Sequence, residues 1–259
     1  MENLRDKHLF NEVAVKYDKR RPKYVPVLFD DIKEYANITE AKSVLEVGCG
    51  TGLATEPFLK TGCRLIAIEL GDNLAAYTRE KFKDYANLEV VHCAFEDYAG
   101  ETDFDMVYSA TAFHWIPPEV GYQKAYDLLK PGGTLGLFWN RPAVNSEDPL
   151  HQRIQLVYRE FLPEWTQRKA RNDYNSKYET VKKQIAQTGF IDLKFKLYHD
   201  TRTMTGIEYV ELLDTYSDHR ALPDSIRTPF YRSIQKAIEE FGNQLTILDT
   251  IDLYLARRP

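Results

Sequence analysis

Cysteine and excess positive charge are both scarce in this chain. Its 259 residues include three cysteines, Cys49, Cys63 and Cys93. An odd number in no metal-ligand spacing argues against a disulfide framework and a zinc site, so we expect reduced thiols and no metal. The 34 lysines and arginines are outnumbered by 39 acidic residues, for a net charge of −5. Proteins that live on nucleic acid usually carry a basic face, so we expect no nucleic-acid partner, although a local basic patch stays open.

Long apolar runs are also missing. No run is long enough to span a bilayer, and the stretch from Met1 to His8 is too charged for a signal peptide. Repeats and low-complexity linkers are absent. We therefore expect a cytoplasmic protein without a membrane partner, present as a monomer or a homodimer. The length suits one α/β domain, or a core domain with a smaller cap.

From about residue 43, short β-like runs alternate with helical stretches. This order is typical of a mostly parallel, doubly wound sheet with helices on both faces. Of two later strands, the first alternates apolar and polar residues, as a strand with one solvated face does. The seven predicted strands are Ser43 to Val47, Arg64 to Glu69, Leu88 to His92, Phe104 to Ser109, Thr134 to Trp139, Asp192 to Tyr198 and Leu245 to Leu255.

Apolar residues with helical spacing occur in the segments between the predicted strands. One stripe ends at a stop at Gly189, and a longer one runs from Asp224 to Gly242 and includes Phe241. The connections after the fifth and sixth strands are longer than α/β units need, so they are natural material for a lid. We predict an N-terminal helical arm over the site at residues 1–40, a core at residues 41–140, 176–200 and 243–259, and helical cap insertions at residues 141–175 and 201–242.

A glycine loop follows the first strand, with Gly48, Gly50 and Gly52 leading into a helical stretch. Glycines let the backbone turn sharply and approach a ligand at the carboxyl end of a strand. A dinucleotide loop would place its third glycine at position 53, where Leu53 stands. Glu46, inside the strand, suits a site where an acid lies near the positively charged amino-acid part of a ligand.

The segment Glu46-Val47-Gly48-Cys49-Gly50-Thr51-Gly52 resembles the first motif of class I S-adenosylmethionine-dependent methyltransferases. The resemblance covers the chain from about residue 40 to its end, apart from the two insertions. It implies S-adenosylmethionine as the methyl donor, S-adenosylhomocysteine as the product, and no metal. It also implies that Glu46, Gly48, Gly50 and Gly52 contact the donor, and that the sixth and seventh strands are antiparallel.

Two further segments fit such a donor. A carboxylate at the end of the second strand, Glu69, can accept hydrogen bonds from both ribose hydroxyls of a nucleoside. The alternative for Glu69 is a solvated strand-end acid. The resemblance implies adenine recognition near Ala94 and Phe95, and Lys130-Pro131-Gly132-Gly133-Thr134 is similar to the family's turn into its fifth strand.

Two observations bear on the kind of methyl acceptor: the sequence lacks certain motifs, and parts of it resemble a narrower group of enzymes. The segment after the fourth strand lacks a Pro-Pro-Tyr or Pro-Pro-Phe motif and metal-binding acids, and no Pro-Cys dipeptide occurs. Phe10 with Tyr17 to Tyr24, Ala112-Phe113-His114-Trp115 and Tyr209 to His219 resemble the trans-aconitate-methyltransferase-like group, within the methyltransferase type 11 branch. We therefore expect methyl transfer to a small molecule, with O-methylation of a carboxylate or hydroxyl favoured.

Individual roles follow from these positions, each with a structural alternative. His114 is a candidate base or acceptor-orienting group, or a packed histidine; a carboxylate acceptor would need no base. Tyr17 and Arg21 belong to an arm that closes over the donor, or to a surface arm held by packing. Trp115, Trp139, Tyr216 and His219 are candidates for the acceptor pocket, although large aromatics near strand ends are often core residues.

Three other functions compete with this interpretation. A nicotinamide oxidoreductase uses a similar sheet, but the glycine spacing and Glu46 argue against it. A protein that binds S-adenosylmethionine without turnover stays open, because no fixed catalytic residue is required. Methylation of RNA or protein is disfavoured by the acidic balance and the missing base-holding motifs.

Overall fold

A seven-stranded sheet forms the centre of the molecule. The structure, a computed structural model, describes residues 14–143, 145–165 and 174–259, so Phe10 and parts of the predicted arm (residues 1–40) and of the first predicted insertion (residues 141–175) lie outside the described residues. The strand order is β3-β2-β1-β4-β5-β7-β6. The strands are β1 (Ser43–Val47), β2 (Arg64–Glu69), β3 (Leu88–His92), β4 (Phe104–Ala110), β5 (Leu129–Ala143), β6 (Ile191–Met204) and β7 (Leu245–Arg257).

Strands β1 to β5 are parallel, and β7 lies between β5 and β6, antiparallel to both. The predicted doubly wound fold with an antiparallel final pair is thereby confirmed. The described helices of seven residues or more are α1 (Ala14–Arg20), α2 (Pro26–Ala36), α4 (Asp72–Lys81), α5 (Pro118–Leu128), α6 (Pro149–Phe161), α7 (Tyr174–Gln187), α8 (Gly206–Leu213) and α10 (Asp224–Glu240); the short helices α3 (Glu56–Leu59) and α9 (Ser217–Arg220) complete the set.

Successive strand residues point to opposite faces of the sheet, so each strand feeds two apolar cores. Leu28 and Ile32 of α2 and Phe58 of α3 pack on the face that carries Tyr108 and Phe138. The opposite face packs against α5 and α7 through Tyr122, Ala125, Leu128 and Ile185. Both layers are apolar cores, because all these side chains are buried.

A third apolar cluster lies beyond the carboxyl end of the sheet and forms a cap. It joins α6, α8 and α10 to the first residues of β7, with Ile154, Leu212, Phe230, Ile234 and Leu245 among its members. Asp148 caps α6 by accepting from the amides of Leu150 and His151, and Thr205 with Glu208 forms a capping box at α8. Phe241, included in the predicted stripe, is 45% exposed because α10 ends at Glu240.

Strands β5 and β6 are longer than the sequence predicts. The segment from Lys130 to Gly133, predicted as a turn, already belongs to β5, and β6 continues to Met204 in the range predicted as cap. At their far ends, β5 reaches Ala143 and β6 reaches Met204 because the 13-residue β7 pairs with both strands there. A wall of sheet therefore projects from the core into the cap.

Candidate functional site

A cavity of about 1610 Å³ opens at the carboxyl ends of β1, β2, β4 and β5. Open α/β sheets bind ligands at this edge. Its walls come from the glycine loop, the arm helix α1, the segments after β2 to β5, and the cap helices. The cavity is larger than the roughly 300–1,000 Å³ typical of a site for one small molecule, so it has room for two ligands side by side.

The glycine loop has three left-handed residues, with φ of +73° at Gly48, +58° at Gly50 and +79° at Gly52. A Cβ at Gly48 would lie 2.5 Å from the Cβ of Ala112, and one at Gly52 would lie 2.2 Å from the Phe82 ring. Gly48 and Gly50 line the cavity, whereas Gly52 faces the protein interior. The first and third glycines are therefore required by packing as well as by φ.

Glu69 ends β2 and is locked to the glycine loop. Its Oε2 accepts from the amide of Gly50 at 2.8 Å, and its Oε1 accepts from the amide of Gly71 at 2.7 Å. Burial raises the pKa of this carboxyl, while the two amides act in the opposite direction. Each oxygen keeps a second lone pair, so the carboxylate can still accept hydrogen bonds from a ligand in the cavity it lines.

Glu46 lies beneath the loop and not among the groups that line the cavity. Its side chain is 1% exposed, and Thr55 Oγ1 donates to its Oε2 at 2.5 Å. Burial raises the pKa of this carboxyl to about 7. The structure therefore separates Glu46 from the other predicted donor residues and places it in the support of the loop.

Ala94 and Phe95 line the cavity across from Glu69, together with Leu70 and Leu74. Phe95 is 3% exposed and begins a short 3-10 turn, Phe95–Asp97. The segment thus offers an apolar wall, which suits the planar ring of a nucleoside. These residues and Glu69 bound one end of the cavity.

The arm helix α1 covers the same end. Arg21, just after it, donates to the carbonyl of Thr215 at 2.9 Å, and its guanidinium carbon lies 4.5 Å from the Tyr17 ring centre and 4.3 Å from that of Tyr216. A guanidinium between two aromatic rings is a cation–π arrangement. Tyr17 also stands 3.8 Å from where a Gly50 Cβ would be, so the arm reaches from the cap to the glycine loop.

His114 follows β4 in a 3-10 turn, Phe113–Trp115. Its side chain is exposed, and the space it is exposed to is the cavity, whose walls surround it. Trp139 Nε1 donates to His114 Nδ1 at 3.1 Å. Because an indole N–H can only donate, Nδ1 must be the bare nitrogen, and the proton of the neutral ring is on Nε2. Burial, with the positive charges of Arg141, Arg21 and Lys177, lowers the pKa of His114 to about 4.

Sequence reasoning missed two arginines that line the cavity. Arg141 donates through Nε and Nη2 to Asp252 at 2.9 and 3.1 Å, and Asp252 is fully buried. Arg202 donates to Asp249 through Nε at 2.5 Å and Nη2 at 3.4 Å. The sequence did contain a signal for these arginines. Asp249 and Asp252 lie inside the apolar closing strand, and buried carboxylates need positively charged or hydrogen-bonding partners.

Of the remaining predicted residues, Trp115, Trp139, Tyr216 and His219 all line the cavity. His219 is only 6% exposed, and both of its ring nitrogens are engaged: Tyr158 Oη lies 2.9 Å from Nε2 and Asp218 Oδ1 lies 2.7 Å from Nδ1. The imidazole has no further hydrogen-bonding capacity for a ligand. His219 therefore holds the cap wall in place.

Metal-ligand clusters are absent from the described part of the chain, where no group of three histidine, cysteine or acidic side chains could hold an ion. Within the same residues, none of the helices combines the length and apolar character that a membrane crossing needs.

Comparison with known proteins agrees with this geometry. Residues 44–133 match the protein family described as a methyltransferase domain. A Schizosaccharomyces pombe protein named as an uncharacterized methyltransferase is 23% identical over 225 residues, 86% of this chain and 84% of that protein. A Mycobacterium tuberculosis protein named in the same way is 29% identical over 131 residues, 51% of each chain, so this match spans about half of that relative.

Among solved structures, phosphoethanolamine N-methyltransferase 2 of Haemonchus contortus, in complex with S-adenosylhomocysteine, has a TM-score of 0.56 at 14% identity. The alignment covers 96% of this chain and 57% of that one, and it shows a shared fold. The sheet order, the glycine loop and the match over residues 44–133 support a class I S-adenosylmethionine-dependent methyltransferase with a Rossmann-like fold.

Proposed function

We propose that this enzyme transfers the methyl group of S-adenosylmethionine to the carboxylate of a small organic acid. The observation that carries the proposal is the state of His114: a neutral ring that can donate from Nε2, beside Arg21, Arg141 and Lys177. Such a place attracts an anion and offers a hydrogen-bond donor. It provides no ready proton acceptor at neutral pH.

The donor fits the opposite end of the cavity. Glu69 would accept from its ribose hydroxyls, Ala94 and Phe95 would pack against its adenine, and Gly48 and Gly50 allow its close approach to the backbone. Tyr17 and Arg21 would close over its amino-acid part. When bound, S-adenosylmethionine supplies an activated methyl group on a positively charged sulfur.

The chemistry asks little more of the protein than alignment and exclusion of water. A carboxylate oxygen of the acceptor attacks the methyl carbon, the O–CH₃ bond forms as the C–S bond breaks, and the electron pair stays on sulfur. No proton is released, so the absence of a base beside the acceptor is consistent with the step. His114 Nε2 would donate to the carboxylate and Arg141 would attract it, which aligns one oxygen with the methyl group.

Substitution of His114 distinguishes an acceptor-orienting donor from a base. His114→Gln keeps an N–H donor but cannot take a proton, and His114→Phe removes both functions. We expect His114→Gln to retain within about tenfold of the wild-type kcat/KM on an acid acceptor, and His114→Phe to lose about 10- to 100-fold, since a hydrogen bond to a charged group contributes roughly 1.5–3 kcal/mol. Methyl ester formation is measured by mass spectrometry.

Equal, near-complete loss in both variants would instead assign His114 as a base and favour a hydroxyl or amine acceptor. A failure to form a methyl ester from any acid, with S-adenosylmethionine still raising the melting temperature, would overturn the proposal. The alternatives are then binding without turnover, or methylation of RNA or protein. The melting-temperature control is sensitive, because a ligand at a hundred times its dissociation constant adds about 2.7 kcal/mol of stability.

A further inference from the structure

The cavity continues past His114 and Arg141 into the cap. In the β5–β7 pairing, Arg141 lies opposite Thr250, and β7 begins five residues earlier at Leu245. At about 3.4 Å per residue, the wall extends roughly 17 Å beyond the register of Arg141. Leu245 and Ile247, at this far end, still line the same cavity. A small acid held beside the donor would leave this space unused.

The far space, called here the cap chamber, has a cluster of aliphatic side chains in its walls, beside polar side chains of α6 such as Gln155 and Arg159. Helices α6 and α8 and the start of β7 supply Ile154, Leu156, Leu212, Leu213, Leu245 and Ile247. All but Leu156 are at most 5% exposed, so their packing is fixed by the cap core. Leu156 is 53% exposed and lies on the helix face that also presents Gln152 and Arg159 to the cavity.

Two polar groups of the chamber wall have partners within the protein. Arg202 is held by buried Asp249, and Tyr158, 5% exposed, shares its hydroxyl with His219. Arg202 and Tyr158 are thus each tied to a partner in the cap. The cationic groups beside His114 and the aliphatic chamber thus give the cavity two chemically distinct ends, joined in one space.

We infer that the acceptor is an amphiphilic carboxylic acid, whose carboxylate lies at His114 and Arg141 and whose hydrocarbon tail occupies the cap chamber. The inference rests on the proposed function and specifies its substrate class. Charge complementarity fixes the head of the acid, and the aliphatic walls fix the tail. A tail in the chamber would also exclude water from the reacting end, because it fills the space beside the half-exposed Leu156.

The test is a series of straight-chain acids, butanoate, hexanoate, octanoate and decanoate, compared with succinate and citrate. Burying methylene groups in an aliphatic chamber should raise kcat/KM about threefold to fourfold per added carbon until the chamber is full. Succinate and citrate, which would place a second charge against aliphatic walls, should be methylated less than hexanoate. Methyl esters are quantified for each acid with the full chain.

A matched pair of leucine variants locates the tail. Leu156→Gln changes an exposed leucine that lines the cavity, and Leu248→Gln changes a leucine of similar exposure, 49%, that does not line it. Leu156→Gln should lower kcat/KM for octanoate about threefold to tenfold and leave butanoate unchanged. Leu248→Gln should leave both acids unchanged.

Each outcome decides a different claim. Methylation of succinate or citrate without any gain from chain length would overturn the amphiphilic acceptor and leave carboxylate methylation standing. Equal effects of the two leucine variants would also overturn it. If no acid yields a methyl ester while S-adenosylmethionine still raises the melting temperature, the proposed function fails and this inference fails with it.

Discussion

At the scale of single residues, the glycine loop gives a sharp stability test. Gly52→Ala adds a methyl group at φ +79° and 2.2 Å from the Phe82 ring. Gly132→Ala adds the same group at φ +78° with nothing within 4 Å. The control should lose about 1–2 kcal/mol from the left-handed backbone alone, and Gly52→Ala should lose about 1–3 kcal/mol more from overpacking. Urea unfolding measures both, and equal losses would contradict the packing argument.

Glu46 makes stability depend on pH. Its pKa is raised to about 7 in the folded protein, from an ordinary value of 4.5. The unfolded chain therefore releases this proton first, and the Glu46 contribution to the free energy of unfolding decreases as pH rises from about 4.5 to 7, then stays low. The full effect is at most about 3 kcal/mol, at 1.36 kcal/mol per pKa unit.

Glu46→Gln should remove this decrease. The amide oxygen can still accept from Thr55, and the residue has no charge to desolvate. We expect the variant to be more stable than wild type at pH 8 by about 1–3 kcal/mol, and close to it at pH 5. Urea unfolding at the two pH values is the measurement. A constant difference between variant and wild type would refute the assignment.

The two acids of the site show what residue-level prediction can and cannot do. Glu69 ends a strand at the sheet's ligand-binding edge, and position alone indicates its contact with a ligand. Glu46 is one residue before a strand end, where the side chain can face the cavity or the interior. The choice depends on Thr55 and Tyr108, which pack against it from elsewhere in the chain, so the sequence pattern could not decide it.

At the scale of elements, the arm helix α1 is held by ion pairs on two sides. Arg20 contacts Glu208 and Glu211 of α8, each at 2.6 Å, and Asp18 contacts Lys81 of α4 at 2.6 Å. Isolated surface pairs contribute little, about 0–1 kcal/mol, but Arg20 is 14% exposed and bridges two carboxylates. The arm therefore joins the cap to the core across the donor end of the cavity.

Arg20→Gln should loosen that closure. We expect the dissociation constant for S-adenosylmethionine to rise about threefold to tenfold. It should also vary less with salt than in the wild type, because salt screens the ion pairs of Arg20 and the variant lacks those pairs. Lys19→Gln, in the same helix at an exposed position, is the control and should change neither. Calorimetric titration at low and high salt gives both quantities. A salt response unchanged by Arg20→Gln would show that the arm is held by packing.

Strands whose own residues carry a clear apolar pattern were predicted with the correct bounds. Strands β1 and β2 are almost continuous buried apolar runs, and their predicted bounds agree with the structure. The last residues of β6, Thr201 to Met204, carry no such pattern. They are strand because Leu245 to Leu248 of β7 pair with them. Strand ends of this kind depend on a partner more than forty residues away, which periodicity does not reveal.

At the scale of the whole molecule, the two ends of the cavity arise in different ways. Apart from the arm, the end proposed to bind the donor is built from segments close in sequence, from Gly48 to Phe95, so a motif can predict it. The acceptor end joins His114 to Trp139 and Arg141 to Asp252, pairs separated by 25 and 111 positions. The second of these contacts requires β7 to lie beside β5. The sequence therefore predicts the methyl donor better than the acceptor.

We expect the Arg141–Asp252 pair to affect both stability and acceptor binding, and a double-variant cycle separates the two effects. Arg141→Met should leave the buried Asp252 carboxylate unpaired and destabilise the protein by as much as about 3 kcal/mol, less than for a fully buried pair because Arg141 is 18% exposed. Adding Asp252→Asn should restore most of that stability, since the unpaired charge is removed.

The affinity for the acceptor should not recover with the stability. The KM for an acid acceptor is expected to rise tenfold or more in Arg141→Met and to stay raised in the double variant, because both lack the guanidinium that attracts the carboxylate. Affinity for S-adenosylmethionine should be unchanged in both, as its predicted contacts lie at the other end of the cavity. If KM returned to the wild-type value in the double variant, Arg141 would be a structural residue and the acceptor's carboxylate would have to lie elsewhere.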